Sequence, residues 1–253
     1  MTKAIVVGLG LIGEIVINAL EDLNYEIIGV DLEDKSSLMN SHKKLVSTLT
    51  CDATEENAVK SLMEGVFHEH PSSYLLVNAL GVDVKVGNTG TFQPLEKQMS
   101  QHFNEALIQG LSSYFLTSKY FVLNHLQNGS DGRILNIASD LSVIAPDHRL
   151  YNDNNVINLK PAHYGVVKHG VIGLTKYFSA TYAPQIISNS LSPSGIFQDN
   201  MDPDFIRKLS ERTPLNRLME GYELAEPIKF LCNRKNSFAT GQNLVVDGGR
   251  SII

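Results

Sequence analysis

The chain has 253 residues, 43% of them apolar and 19% charged, with 21 basic against 27 acidic side chains. That length buries a large core and suits one large α/β domain or two small ones. The net charge of −6 excludes a general attraction to nucleic acid or an anionic membrane, and two cysteines exclude a disulfide framework or a four-cysteine zinc site.

Met1-Thr2-Lys3 leads straight into a short apolar run rather than a signal peptide, and no stretch approaches about 18 consecutive apolar residues. With Cys51 and Cys232 as the only thiols, a reducing, cytoplasmic setting is expected. β-Branched runs predict strands over Ala4–Val7, Glu26–Val30, Val46–Thr50, Tyr74–Asn78, Arg133–Ala138, Ile186–Leu191 and Asn243–Val246. Helical periodicity predicts helices over Leu11–Leu23, Glu55–His70, Leu95–Leu126, Ala162–Ala183 and Gly221–Cys232. Such alternation predicts a single doubly wound α/β domain of Rossmann type over residues 1–253, with about seven parallel strands and helices on both faces. Two irregular stretches, Val82–Pro94 and Asp140–Pro161, follow strands and should open at the carboxyl edge of the sheet, where ligands bind in such folds.

Gly8-Leu9-Gly10-Leu11-Ile12-Gly13 follows the first strand and opens a helix, so its backbone can approach a pyrophosphate at the helix N-terminus. Asp31 ends the second strand, 18 residues past Gly13, where a carboxylate can accept both ribose hydroxyls. The same charge repels a 2′-phosphate, and no Arg or Lys follows until Lys35, which favours NAD over NADP. Asp52, before Ala53, either meets the adenine amino group or caps a helix beginning at Thr54 or Glu55. Asn78 and Ala79 end the fourth strand, where small residues let a cofactor lie close.

Tyr164 and Lys168 stand at i and i+4, on one face of a helix. An ammonium beside a phenol lowers the phenol's pKa and makes it a usable acid and base. Ser139 ends the fifth strand, where its hydroxyl could hold a substrate carbonyl or hydroxyl oxygen. His163 and His169 lack a carboxylate partner pattern, and no metal site is expected.

The glycine loop, Asp31, Asp52, Asn78, Ser139, Tyr164/Lys168, Asn189, Ser192-Pro193 and the tail Thr240–Gly249, in that order, resemble the short-chain dehydrogenase/reductase family over nearly the whole chain. The resemblance implies that Tyr164 exchanges a proton with the substrate oxygen while Lys168 lowers its pKa and binds the nicotinamide ribose. It implies that Ser139 orients that oxygen, and that Pro193 and Ile196 border the nicotinamide carboxamide. It also points to a homodimer or homotetramer; the long apolar helices Leu95–Leu126 and Ala162–Ala183 could supply the contact faces. Several positions depart from the pattern. The loop reads Val6-Val7-Gly8, the family's Asn-Asn-Ala-Gly reads Asn78-Ala79-Leu80-Gly81, and its Pro-Gly reads Pro193-Ser194. The family's helix asparagine is replaced by Gly110 or, in a shifted register, Leu107, with Asn104 a turn or two away.

Ser139 and Tyr164 are 25 residues apart, about twice the family's usual interval. This insertion, with Phe197-Gln198 and the stretch from Phe205 to Arg217, is similar to a bacterial branch of surface-sugar and flagellin-glycan enzymes. The resemblance therefore implies substrate loops at about 140–161 and 194–220 and a sugar or nucleotide-sugar substrate. His148, Arg149 and Gln198 are its candidate contacts; His148 and Arg149 would meet hydroxyls or phosphate, or else form a solvated loop. A reductase of 3-oxoacyl or small-ketone substrates, and an NAD-binding sensor or partner subunit without catalysis, are the alternative readings.

Overall fold

The computed structural model describes residues 2–81, 94–151 and 159–253. Most of the stretch Val82–Pro94 and the run Asn152-Asp153-Asn154-Asn155 thus lie outside the described residues.

Seven strands form one parallel sheet: β1 (Lys3–Val7), β2 (Glu26–Asp31), β3 (Leu45–Thr50), β4 (Ser73–Asn78), β5 (Gly132–Ile137), β6 (Ile186–Pro193) and β7 (Asn243–Val246). Their order is β3-β2-β1-β4-β5-β6-β7, so the winding reverses between β1 and β4. The helices are α1 (Leu11–Asp22), α2 (Glu56–Glu69), α3 (Ser100–Leu107), α4 (Ser113–Asn128), α5 (Ala162–Tyr182), α6 (Pro203–Ser210) and α7 (Ala225–Cys232). Strand side chains alternate between two cores. On one face Ala4 and Val6 pack with Val16, Ile17 and Leu20 of α1 and Ile228 and Leu231 of α7. On the other, Ile5 and Val7 pack with Val59, Met63 and Phe67 of α2, Phe121 of α4 and Phe178 of α5. Each fully buried side chain of this kind stabilises the fold by roughly 1.5–3 kcal/mol.

Two expectations are corrected in detail. The predicted helix Leu95–Leu126 is a short 3₁₀ turn, then α3, then a π-turn over Ile108–Ser112 that leads into α4. Gly110, buried and without a side chain, sits inside that wide turn, as is common for a break in helical register near a site. The segment 194–220 is not all loop, because Asp202 caps α6 through the Asp204 N–H and Pro203 begins it.

Candidate functional site

The carboxyl ends of β1, β2 and β4 meet at a cradle whose geometry fits a dinucleotide. Gly8 has φ +93°, and a Cβ there would come within 2.8 Å of the Ala79 carbonyl. A Cβ on Gly13 would collide with the Gly8 carbonyl, so these two glycines let the loop fold against β4. Gly10 differs: it is the N-cap of α1, and a Cβ there meets no atom within 4 Å. Open space thus faces the free amides of the helix's first turn, beside Leu11 and Ile12, and that arrangement fits a pyrophosphate. Asp31 closes the loop by accepting the Leu9 N–H at 2.7 Å on one oxygen and the Glu33 N–H at 3.1 Å on the other. Each carboxylate oxygen keeps a second acceptor position, which fits a ribose diol. Lys35 pairs with Glu33 at 3.1 Å, so the nearest cation along the chain is matched by an acid.

Two side chains at this edge are already used. Asn78 is fully buried; it donates to Ser118 and Asn136 and accepts the Thr117 hydroxyl, so it offers a nucleotide only backbone. Asp52 does not cap α2, whose N-cap is Glu55. Its Oδ1 instead accepts the N–H and the hydroxyl of Thr54 in a turn before the helix, with Ala53 buried between them.

Tyr164 lies in the first turn of α5 and Lys168 in the next, packed against the turn Asp140–Ser142 that follows β5. Lys168 is buried; its Nζ donates to the Ile137 carbonyl at 3.3 Å and lies 6.0 Å from the Tyr164 ring centroid. The Tyr114 hydroxyl is 2.8 Å from both the Ile137 and Leu80 carbonyls, and burial, reinforced by Tyr164, raises its pKa far above the ordinary phenol value. Tyr114 is therefore a permanent donor beside Lys168, on the turn of α4 that follows Gly110. Asn104 is exposed on α3 and takes no such place. The Ser139 hydroxyl donates to Asp140 Oδ1 at 2.9 Å and accepts the Leu141 N–H. The other oxygen of Asp140 accepts Ser194 Oγ at 3.0 Å and pairs with Arg250, both members of the ion pair being buried. Pro193 ends β6, and Ile196 is buried where the chain bridges to Met219.

The two expected substrate segments touch. Leu150 and Tyr151 pack with Phe205, Leu209 and Leu218, the rings of Tyr151 and Phe205 stacking with centroids 5.9 Å apart. Asp147 takes Arg149 on both oxygens and Arg212 at 2.7 Å. Those bonds, that from Arg149 foremost, hold its carboxyl well below the usual range. The Arg149 side chain is 77% exposed and already paired, Gln198 is exposed, and His148 accepts the Lys160 N–H on Nδ1 at 3.2 Å. A cavity of about 170 Å³ lies beneath α6, among Ser194, Leu209, Leu218 and Gly248, and Ser139, Tyr164 and Lys168 do not line it.

Residues 11–251 match the family model described as "Enoyl-(Acyl carrier protein) reductase". The chain belongs to the short-chain dehydrogenase/reductase family. It is an oxidoreductase of that family. A crystal structure of a short-chain dehydrogenase from Leptospira borgpetersenii with bound NAD+ superposes with a TM-score of 0.86 at 29% identity, covering 99% of this chain and 93% of that one. An uncharacterized oxidoreductase of Schizosaccharomyces pombe is 26% identical over 95% of this chain and 86% of its own length. The post-translational flagellin modification protein A of Campylobacter coli is 25% identical over 85% and 82%. As a short-chain dehydrogenase/reductase the chain carries its altered glycine loop, Gly8 and Gly10 included, ahead of the matched residues. Sequence reasoning missed Tyr114, Asp140, Ser194 and Arg250. Asp140, next to Ser139, and Ser194, next to Pro193, carried a local signal; Tyr114 and Arg250 did not.

Proposed function

We propose that the protein interconverts a hydroxyl and a ketone on a sugar-like or nucleotide-sugar substrate, using NAD(H). The observation that carries this reading is Tyr164 and Lys168 on one face of α5, against the turn that presents Ser139, at the edge where the Gly8–Gly13 loop opens. A bound nicotinamide would supply or remove the hydride. In the reducing direction Tyr164 gives its proton to the substrate oxygen, and Lys168 holds the charge left on the phenol. Ser139, whose own hydrogen points to Asp140, accepts from a substrate hydroxyl as it stands and turns to donate to a carbonyl. The carboxylate of Asp31, followed by Glu33 and Asp34, supports NAD over NADP. The flagellin-modifying relative supports a sugar-like substrate, whereas the description of the matching family model supports a second reading, an acyl or small-ketone reductase.

We also infer assembly into a dimer or tetramer, supported by exposed Phe115 and Leu123 on α4 and Val166 and Tyr177 on α5. Light scattering should give two or four chain masses; a single chain mass excludes it. A cytoplasmic setting is supported by two unpaired, buried cysteines, the Cys232 thiol pushed up to about 12 by burial. No helix among the described residues is long and apolar enough to cross a membrane.

The test is nicotinamide fluorescence with NADH and NADPH, then loss of nicotinamide absorbance against keto-sugars, acyl ketones and simple ketones. NADH should bind at least about tenfold more tightly than NADPH, about 1.4 kcal/mol. Equal affinities refute the role of Asp31, and binding of neither refutes the dehydrogenase reading.

A further inference from the structure

Lys160 precedes α5, which begins at Ala162, and belongs to the long interval between Ser139 and Tyr164. Its Nζ stands over the face of the Tyr164 ring, 4.1 Å from the centroid, nearer than the 6.0 Å of Lys168. Its backbone is held by the bond from its N–H to His148 Nδ1, and Pro161 stiffens the step into the helix. We propose that Lys160 is a second ammonium acting on Tyr164, a positioning residue that stabilises the phenolate and, with Lys168, sets the acidity of the acid–base group. The inference rests on the reading of Tyr164 as that group.

The physical argument concerns the difference between two protonation states. A neutral phenol attracts an ammonium over its face only through the ring quadrupole. Once ionised, the ring carries a full negative charge, and the attraction becomes that of two opposite charges a few ångströms apart. The gain belongs to the phenolate alone, so it lowers the pKa. Among the described residues, the other groups facing Tyr164 do not duplicate it. Tyr114 stays protonated, and the Asp140 charge in the turn packed on α5 is matched by Arg250. On α5 itself, Lys168 adds its charge from the far side of one helical turn, while His163 buries its ring near Phe103, with centroids 6.5 Å apart. His148, from the insertion, contributes the anchor for the Lys160 backbone.

The test needs no substrate. Tyrosinate absorbance of the full chain is followed against pH, and the same curve for Tyr164→Phe is subtracted to isolate Tyr164. Lys160→Met should raise the Tyr164 midpoint by about one pH unit, a tenfold loss of acidity. Lys160→Arg should restore most of it, and added salt should shrink the difference. Unchanged melting temperatures of both variants exclude a folding defect, since Lys160 sits half-buried on a connecting segment. Coincident midpoints for the parent and Lys160→Met overturn the proposal. So does a Lys160→Arg midpoint displaced as far as that of Lys160→Met. Failure of every ketone in the substrate panel leaves this titration unaffected, so the two readings fail separately.

Discussion

Ser139, Tyr164 and Lys168 show what a residue's neighbours add to its type. The spacing of Tyr164 and Lys168 was legible because a helix repeats every 3.6 residues and puts i and i+4 together. The hydrogen-bonding state of Ser139 was not, because it depends on Asp140, which is oriented by Arg250, 110 positions further along the chain. The absent helix asparagine is a similar case. Neither Gly110 nor Leu107 offers an amide in its place, yet a hydroxyl from Tyr114 meets the same Ile137 carbonyl that Lys168 uses. Tyr164→Phe removes the transferable proton and little else. Turnover should fall at least about 100-fold, the low end for general acid–base catalysis, while NADH affinity by fluorescence stays within about threefold. Retained turnover sinks the assignment of Tyr164.

At the scale of elements, strands and most helices were readable because their apolar runs are local. The break in the long predicted helix was not, because a π-turn arises where tertiary packing favours a wider loop around Gly110. α6 carried a usable signal, Asp202-Pro203 followed by apolar residues at 205, 206 and 209. α4 also carries a pH-dependent element. His125 is buried between Phe67 and Phe121, with Nδ1 bonded to Ser130 Oγ at 2.8 Å and Nε2 without a partner among the described residues. Burial lowers its pKa from 6.5 to about 4, so the fold holds the neutral ring. The folded value lies below the unfolded one, so this stabilisation is complete above about pH 7 and is lost as pH falls from 6.5 towards 4. Urea unfolding at pH 7 and pH 5 should differ by about 2 kcal/mol in the parent protein. In His125→Phe that pH dependence should shrink to the part left by His163, whose pKa burial also lowers; an equal loss in both proteins rules His125 out.

The whole molecule is closed by contacts between distant parts of the chain. Arg133 at the start of β5 is fully buried, has no carboxylate partner among the described residues, and donates to the carbonyls of Leu231, near the end of α7, and Asn236. The negative end of α7 makes that site fit a guanidinium. Arg250, in the turn Arg250–Ile252, reaches Asp140 beside Ser139 and ties the C-terminal segment to the turn that follows β5. Arg250→Met should leave a buried carboxylate unpaired and cost about 3–5 kcal/mol of stability. Arg250→Met with Asp140→Asn should recover part of that loss. Urea unfolding of both single variants and the double variant measures the coupling, and additive losses would show that the two residues are not coupled.

The sequence by itself determined the parallel α/β architecture, the Gly8–Gly13 turn between β1 and α1 and the pairing of Tyr164 with Lys168 on one helix face. Each follows from periodicity or spacing within about 20 residues, the range over which the backbone geometry of helices and strands decides who is adjacent. The tertiary structure alone decided that Asn78 is consumed in the core, that Asp147 is paired with Arg212, 65 positions along the chain, and that Tyr114 stands beside Lys168 and Arg250 beside Ser139's neighbour Asp140. Those outcomes depend on which buried polar group finds a partner, and that choice is made only when distant segments are brought together and water is excluded.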